Sequence, residues 1–214
     1  MRAAWWGLVI YPDRWWCGVM DLHVTAADRD AWPALAAVLG QPGEPSQCWC
    51  QFHRCEGDEW PGRTPVANRA AMRDLIEGSA VPGLVAHAGA QPVGWCSVGP
   101  LAQFVRVTSS PFVAGVRPPG QDLSRRWAVT CFVVVPHARG SGVAAQLLDS
   151  AVARAREAGA DAVEGYPVDL STSPPEAAER LYAGSRTTFL ARGFTQVARL
   201  GPHNVLVELN LLHS

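Results

Sequence analysis

Trp127-Ala128-Val129-Thr130-Cys131-Phe132-Val133-Val134-Val135, followed by Pro136-His137-Ala138-Arg139-Gly140-Ser141-Gly142-Val143-Ala144, is the stretch that decides the fold. Its first nine residues are almost all apolar, β-branched or aromatic, as in a central strand covered on both faces. Pro136 ends that run. From Gly142 the period changes: Ala144, Leu147, Leu148, Ala151, Ala155 and Ala158 share one face of a helix, while Gln146, Asp149, Ser150 and Glu157 occupy another. Gly159 caps the helix, and Ala162 to Val168 reads as the next strand. The unit is therefore strand-helix-strand, with a right-handed crossover that lays the helix over the sheet.

The connection inside this unit has a chemical use. Glycines at 140 and 142 allow backbone conformations closed to other residues, so successive N–H groups can converge on one point. The free amides and partial positive charge of the following helix attract an anion to that point. A pyrophosphate is the natural ligand of Arg139 to Ala144. The simpler alternative is a tight strand-to-helix turn with Arg139 solvated. Gly140-x-Gly142-x-x-Ala145 also spells the dinucleotide fingerprint, but Pro136 to Arg139 separate it from the strand and too little chain follows for a series of parallel units. A Walker loop is excluded, because no Lys follows a glycine in the required arrangement.

Outward from this unit, Leu22 to Thr25 reads as a strand and Asp28 starts a helix through Leu39. A second helix spans Ala67 to Ile76. Gly83 to His87 and Pro92 to Val98 form a hairpin, and the proline-rich stretch from Gly99 to Asp122 is a surface excursion. Beyond the unit come a helix before Gly193 and the strands Phe194 to Ala198 and Val205 to Leu211.

Bulk properties narrow the classes of partner. The chain has 214 residues, 48% hydrophobic and 17% charged, enough for a sizeable core in one domain. Lys and Arg number 18 against 19 acids, for a net charge of -1, so no global field points to nucleic acid or an anionic membrane. Anion binding has to be local. Six cysteines, Cys17, Cys48, Cys50, Cys55, Cys96 and Cys131, fit reduced thiols in a cytoplasmic protein rather than a disulfide scaffold. Residues 1–19 hold Trp5, Trp6, Trp15 and Trp16. The apolar run there breaks at Pro12, Asp13 and Arg14, which suits neither a secretion signal nor a spanning helix. These residues are expected to form a loosely attached extension or an aromatic lid, with a single domain over 20–214.

The whole frame resembles the GNAT superfamily of N-acyltransferases, whose cofactor motif is Arg/Gln-x-x-Gly-x-Gly/Ala between the fourth strand and the third helix. Arg139-Gly140-Ser141-Gly142-Val143-Ala144 matches it, and the order of elements agrees from about Asp21 to Leu211. Cys48-Trp49-Cys50 is similar to a segment carried by actinobacterial-type members. The resemblance implies an α/β (α+β) fold with a mixed, strongly twisted sheet, helices on both faces and a splayed central strand pair. It further implies acetyl-CoA as acyl donor, held by Arg139, Gly140, Ser141, Gly142, Val143 and Ala144. Its pantetheine would pair with the backbone of Val133, Val134 and Val135. The expected reaction is transfer of an acetyl or short acyl group to a primary amine, on a small molecule or a protein; no metal is expected. The rival expectation is an inactive acyl-CoA-binding or partner-binding module.

Amine acylation needs an unprotonated nucleophile, an oxyanion donor and a proton for the departing thiolate. Glu164 and Tyr166 share one face of their strand and could look into the gap, with Glu164 as base; the same carboxylate would serve equally in a salt bridge. Family members often draw the proton from a Tyr four residues before a Gly-Phe pair, where this chain has Phe189. Tyr182, Ser185 or water would have to substitute, although Ser185 also suits a helix cap. Cys48, Cys50, His53 and Cys55 hold zinc-type donors, but all come from one short run, which spaces them poorly for a tetrahedral site. Trp49, Phe52 and His53 are expected in the acceptor-side wall or the core, and His137 beside the phosphate loop. The final strands could pair with a second copy in a homodimer.

Overall fold

The computed structural model describes residues 21–78 and 80–212; the extension expected over 1–19 lies outside them. The first strand, β1 (Leu22–Ala26), leads into a turn where the Asp28 carboxylate accepts from the amides of Asp30 and Ala31. Helix α1 (Trp32–Leu39) follows directly. Helix α2 (Glu44–Cys48) stops where Trp49 and Cys50 both turn left-handed, at φ 46° and 52°. Helix α3 (Pro65–Glu77) begins two residues before the expected Ala67, because Thr64 caps it through the Ala67 amide and Pro65 suits its first turn.

Strands β2 (Gly83–Ala88) and β3 (Gln91–Pro100) form the expected hairpin. The excursion beyond β3 contains α4 (Val105–Thr108) and α5 (Pro111–Ala114), and these pack onto the sheet. Next come β4 (Arg126–Val134), α6 (Val143–Glu157), β5 (Ala162–Gly165), α7 (Arg186–Leu190), β6 (Thr195–Arg199) and β7 (Val205–Asn210). They complete a seven-stranded sheet in the order β1-β2-β3-β4-β5-β7-β6. Of these strands only β4 and β5 pair in parallel.

Helices cover both faces, and the alternation of β3 shows it. A Cβ added at Gly94 would run into Val143 and Leu147 of α6. Trp95, one residue on, points the other way and donates its indole N–H to Cys50 Sγ at 2.9 Å, beyond α2. Farther along that second face, Leu101, Phe104, Val107 and Val113 close over Ala128, Tyr166 and Leu206 as a separate apolar cluster.

The parallel pair is short. It runs from Arg126 opposite Ala162 to Val129 opposite Gly165 and then stops, although β4 continues to Val134. Pro167 has no N–H to offer a ladder, so the expected strand to Val168 ends early. The register of β3 against β4 also shifts between Ser97 and Val98, leaving Thr130 as an extra residue that reverses the alternation of β4. The sheet thus opens into a fork at its centre, immediately below the phosphate-type loop.

Candidate active site

Residues 139–145 form an open cup at the tip of α6. Gly140 and Gly142 take φ of +78° and +88°, and a Cβ at either would meet nothing within 4 Å. Among the described residues, no side chain outside the turn crowds either position. The first amide of the helix to find a partner is that of Gln146, bonded to the Gly142 carbonyl at 3.0 Å. Among the described residues, no bond of good geometry runs from the amides of Gly140, Ser141, Gly142, Val143, Ala144 and Ala145 to a protein acceptor. Ser141 braces the turn by donating its hydroxyl to the Ala138 carbonyl at 2.7 Å. Arg139 is exposed and reaches back to the Val134 carbonyl at 3.3 Å. His137, also exposed, lines neither cavity described below.

Two cavities flank the fork. The smaller, about 370 Å³, lies on the α6 side and is walled by Phe132, Val134, Gly140, Gly142 and Thr188. The larger, about 490 Å³, lies on the opposite face against Phe52, His53, Trp60, Cys131 and Val133. Tyr182 lines both. Its carbonyl accepts from the Phe132 amide at 2.6 Å, so the segment around it bridges the fork. Any extended molecule with its anionic end in the cup and its reactive end in the larger cavity must pass this point.

The expected cofactor strand is placed residue by residue. The Val135 amide donates to the Val93 carbonyl at 3.0 Å, which turns residue 135 toward β3. By strand alternation Val133 has the same backbone orientation, and its side chain lines the larger cavity. The backbone groups that face the fork belong to Phe132 and Val134. Nothing in the sequence reveals the bulge at Thr130 that turns the Phe132 backbone toward the fork.

Of the expected catalytic residues, the structure brings only Tyr182 to the cavities. Glu164 lines neither and is fully buried. Its carboxylate receives both ends of the Arg117 guanidinium at 2.7 and 2.5 Å, Arg126 Nε at 2.6 Å and the Tyr166 hydroxyl at 2.6 Å. Arg126 also bonds Glu208. Burial opposes ionisation of Glu164, but the bonds from Arg117, Tyr166 and Arg126 outweigh it and hold the carboxyl below its ordinary range. The cause is strand parity, which points residues 164 and 166 at the face closed by the excursion rather than into the fork. Ser185 caps α7, accepting the Thr188 amide at 3.3 Å and bonding the Thr188 hydroxyl at 2.8 Å. Phe189 is fully buried against Phe132 and Phe194.

The cysteine-rich turn supplies wall and core. Cys50 accepts from Trp95, and the Cys55 thiol donates to the Phe52 carbonyl at 3.8 Å. Trp49 is buried and stacks on Trp32, 5.9 Å between ring centres. Among the described residues no three His, Cys, Asp or Glu side chains converge as a metal site. Burial pushes the Cys48 thiol up to about 11, and Cys50 is raised well above its usual value by its contact with Cys131 and by burial. His53 is pushed down to about 4, first by burial and then by the Arg106 and Arg54 guanidiniums. No helix among the described residues is long and apolar enough to cross a membrane.

Comparison with known proteins agrees with this geometry. No curated protein matches the sequence. By fold, yncA of Salmonella typhimurium, solved with its cofactor acetyl-CoA, superposes with a TM-score of 0.51 at 17% identity, over 90% of this chain and 95% of that one. The paia N-acetyltransferase of Thermoplasma acidophilum, in complex with coenzyme A, gives 0.51 at 9% identity, over 89% and 99%. An N-acetyltransferase of Staphylococcus aureus Mu50 gives 0.50 at 14%, again over 89% and 99%. The sequence pattern of the acetyltransferase (GNAT) family matches residues 49–183, well over half the chain and including the cup, both strands of the fork and Tyr182. The chain belongs to the acetyltransferase (GNAT) family.

Proposed function

We propose that this protein transfers an acetyl group from acetyl-CoA to a primary amine by direct attack. The observation that carries the proposal is the cup, where among the described residues six consecutive amides make no bond of good geometry to a protein acceptor and two left-handed glycines leave open space. Convergent amides at a helix tip suit a pyrophosphate. The exposed Arg139 adds a cation at the rim. Val134, and Phe132 once its bond to Tyr182 is exchanged, supply the fork-facing backbone groups for the pantetheine; Val133 contributes its side chain to the acceptor side.

The bound thioester supplies an activated acetyl carbon. At that carbon a C–N bond forms as the C–S bond breaks, the amine loses one proton and the departing sulfur gains one. Tyr182, shared by both cavities, is the proton donor in this reading. Glu164 and Ser185 act as structural groups. The Cys48 and Cys50 thiols on the acceptor wall remain protonated at neutral pH, which disfavours an acyl-enzyme on either of them, since that would need a thiolate. His53 is too weak a base to strip an alkylammonium ion, so the amine enters neutral. A reducing cytoplasm fits the free thiols of Cys48, Cys50, Cys55, Cys96 and Cys131.

The test is release of free CoA thiol from acetyl-CoA in the presence of primary amines, with the N-acetylated product identified by mass spectrometry. Amine-dependent thiol release supports the proposal. Saturable acetyl-CoA binding without turnover of any amine leaves a binding module instead.

A further inference from the structure

The larger cavity is lined mostly by apolar surface. Phe52 stands edge-on to Trp60, with ring centres 5.1 Å apart, and edge-on to His53 at 5.0 Å. Val133, Val168 and Tyr182 complete the aromatic and aliphatic wall. Among the described residues, His53 and Glu44 are the only acidic or basic side chains of the lining. The imidazole is uncharged at neutral pH for the reasons given above. Glu44 is exposed and sits in the first turn of α2, where the cavity meets solvent.

Two further cations lie behind this wall. Arg106 stacks on Phe52 at 4.2 Å and donates to its carbonyl at 2.7 Å, while Arg54 stacks on Phe104 at 4.6 Å. Among the described residues neither has a carboxylate partner; their bonds go to neutral acceptors such as the Gln103 side chain and the carbonyls of Pro82 and Glu56. An acceptor with several ammonium groups would have to shed water into a space with no acid inside and guanidiniums at its back. A flat apolar body gains instead from removal of its surface from water and from edge and face contact with the rings. The volume of about 490 Å³ is in the range that closes around a small organic molecule.

We infer that the acceptor is a small primary amine carried on an apolar, aromatic body, an arylalkylamine in type, which packs its ring between Trp60, Phe52 and Tyr182. This rests on the acetyl-transfer proposal and narrows it. The uncharged interior selects the neutral amine that attacks.

The test compares phenethylamine and tryptamine with spermidine, glucosamine and a lysine-containing peptide in the thiol-release assay, using the full chain. The aromatic amines should show kcat/KM at least about tenfold higher than the others. Trp60→Ala should raise KM for phenethylamine about tenfold with kcat within about twofold, and leave acetyl-CoA affinity unchanged in calorimetry. Equal or better turnover of spermidine, glucosamine or the peptide overturns the inference, as does an unchanged KM in Trp60→Ala. Preference for octanoyl-CoA with a small polar amine would place the acyl chain in this cavity and also overturn it. If acetyl-CoA binds but no aromatic amine is acetylated, the inference alone fails; if acetyl-CoA does not bind, the transfer proposal fails with it.

Discussion

The backbone N–H of Phe132 donates to the carbonyl of Tyr182 across 2.6 Å, at the level where β4 has already parted from β5. This bond closes the direct line between the phosphate-type cup and the acceptor cavity. A ligand that threads the fork has to replace the Tyr182 carbonyl with an acceptor of its own. Hydrogen exchange should therefore quicken over residues 181–185 when acetyl-CoA is added, while the amides of 140–145 slow. Unchanged exchange at 140–145 would mean that the ligand does not seat in the cup.

Glu164→Gln should damage stability rather than chemistry. Replacing the carboxylate leaves Arg117 without its anion and costs about 3–5 kcal/mol, the usual consequence of breaking a buried ion pair. The folded fraction should keep wild-type affinity for acetyl-CoA. Because the folded carboxyl titrates below its unfolded counterpart, the stabilisation is present above the unfolded value near pH ~4 and is lost as pH falls through the folded one. Melts of the variant below that pH should approach the wild type.

His53 produces a pH dependence in a different window. Its imidazole titrates near 4 in the folded chain and near 6.5 in the reference state, so the unfolded chain takes up a proton first. Stability should decline as pH falls from about 6.5 to about 4 and then level off for this group, by ~2–4 kcal/mol in total. His53→Gln should flatten that part of the profile. An unchanged slope would show that His53 is solvated rather than enclosed.

Phe189→Tyr should not restore a proton donor. A Cβ at Gly165 would come within 2.3 Å of the Phe189 ring, and Gly184, Phe132 and Phe194 close its other sides. A hydroxyl added there has no room and must be buried, at a cost of about 1–3 kcal/mol. Turnover should stay level or fall, whereas Tyr182→Phe should lower kcat about 10²-fold or more if Tyr182 donates the proton. A rise in kcat for Phe189→Tyr would move the donor to α7.

Much of this architecture is legible in the residues. The apolar run ending at Pro136, the glycines at 140 and 142 and the helical period after them specify a strand, a cup and a crossover helix, because each is written in local chemistry. The fork is less legible. Pro167 marks where β5 must stop, yet the extra residue at Thr130 has no proline or glycine signature, and it alone decides that Phe132 rather than Val133 offers its amide to the gap. Glu164 shows a second limit. Period two places it on a face with Tyr166, but which face is closed depends on the excursion carrying Arg117, a contact 47 residues away in the chain. Ser185 was legible in its capping role, since a hydroxyl three residues before Thr188 satisfies an amide by local geometry alone.

The central claim is that the bare amides of 140–145 hold the diphosphate of acetyl-CoA, and calorimetric titration tests it most directly. Wild-type protein should bind acetyl-CoA saturably, and Gly140→Val and Gly142→Val should each weaken binding about 100-fold while costing only about 1–2 kcal/mol of stability from the left-handed backbone. Wild-type affinity in either folded variant, or no binding by the unaltered chain, would contradict it.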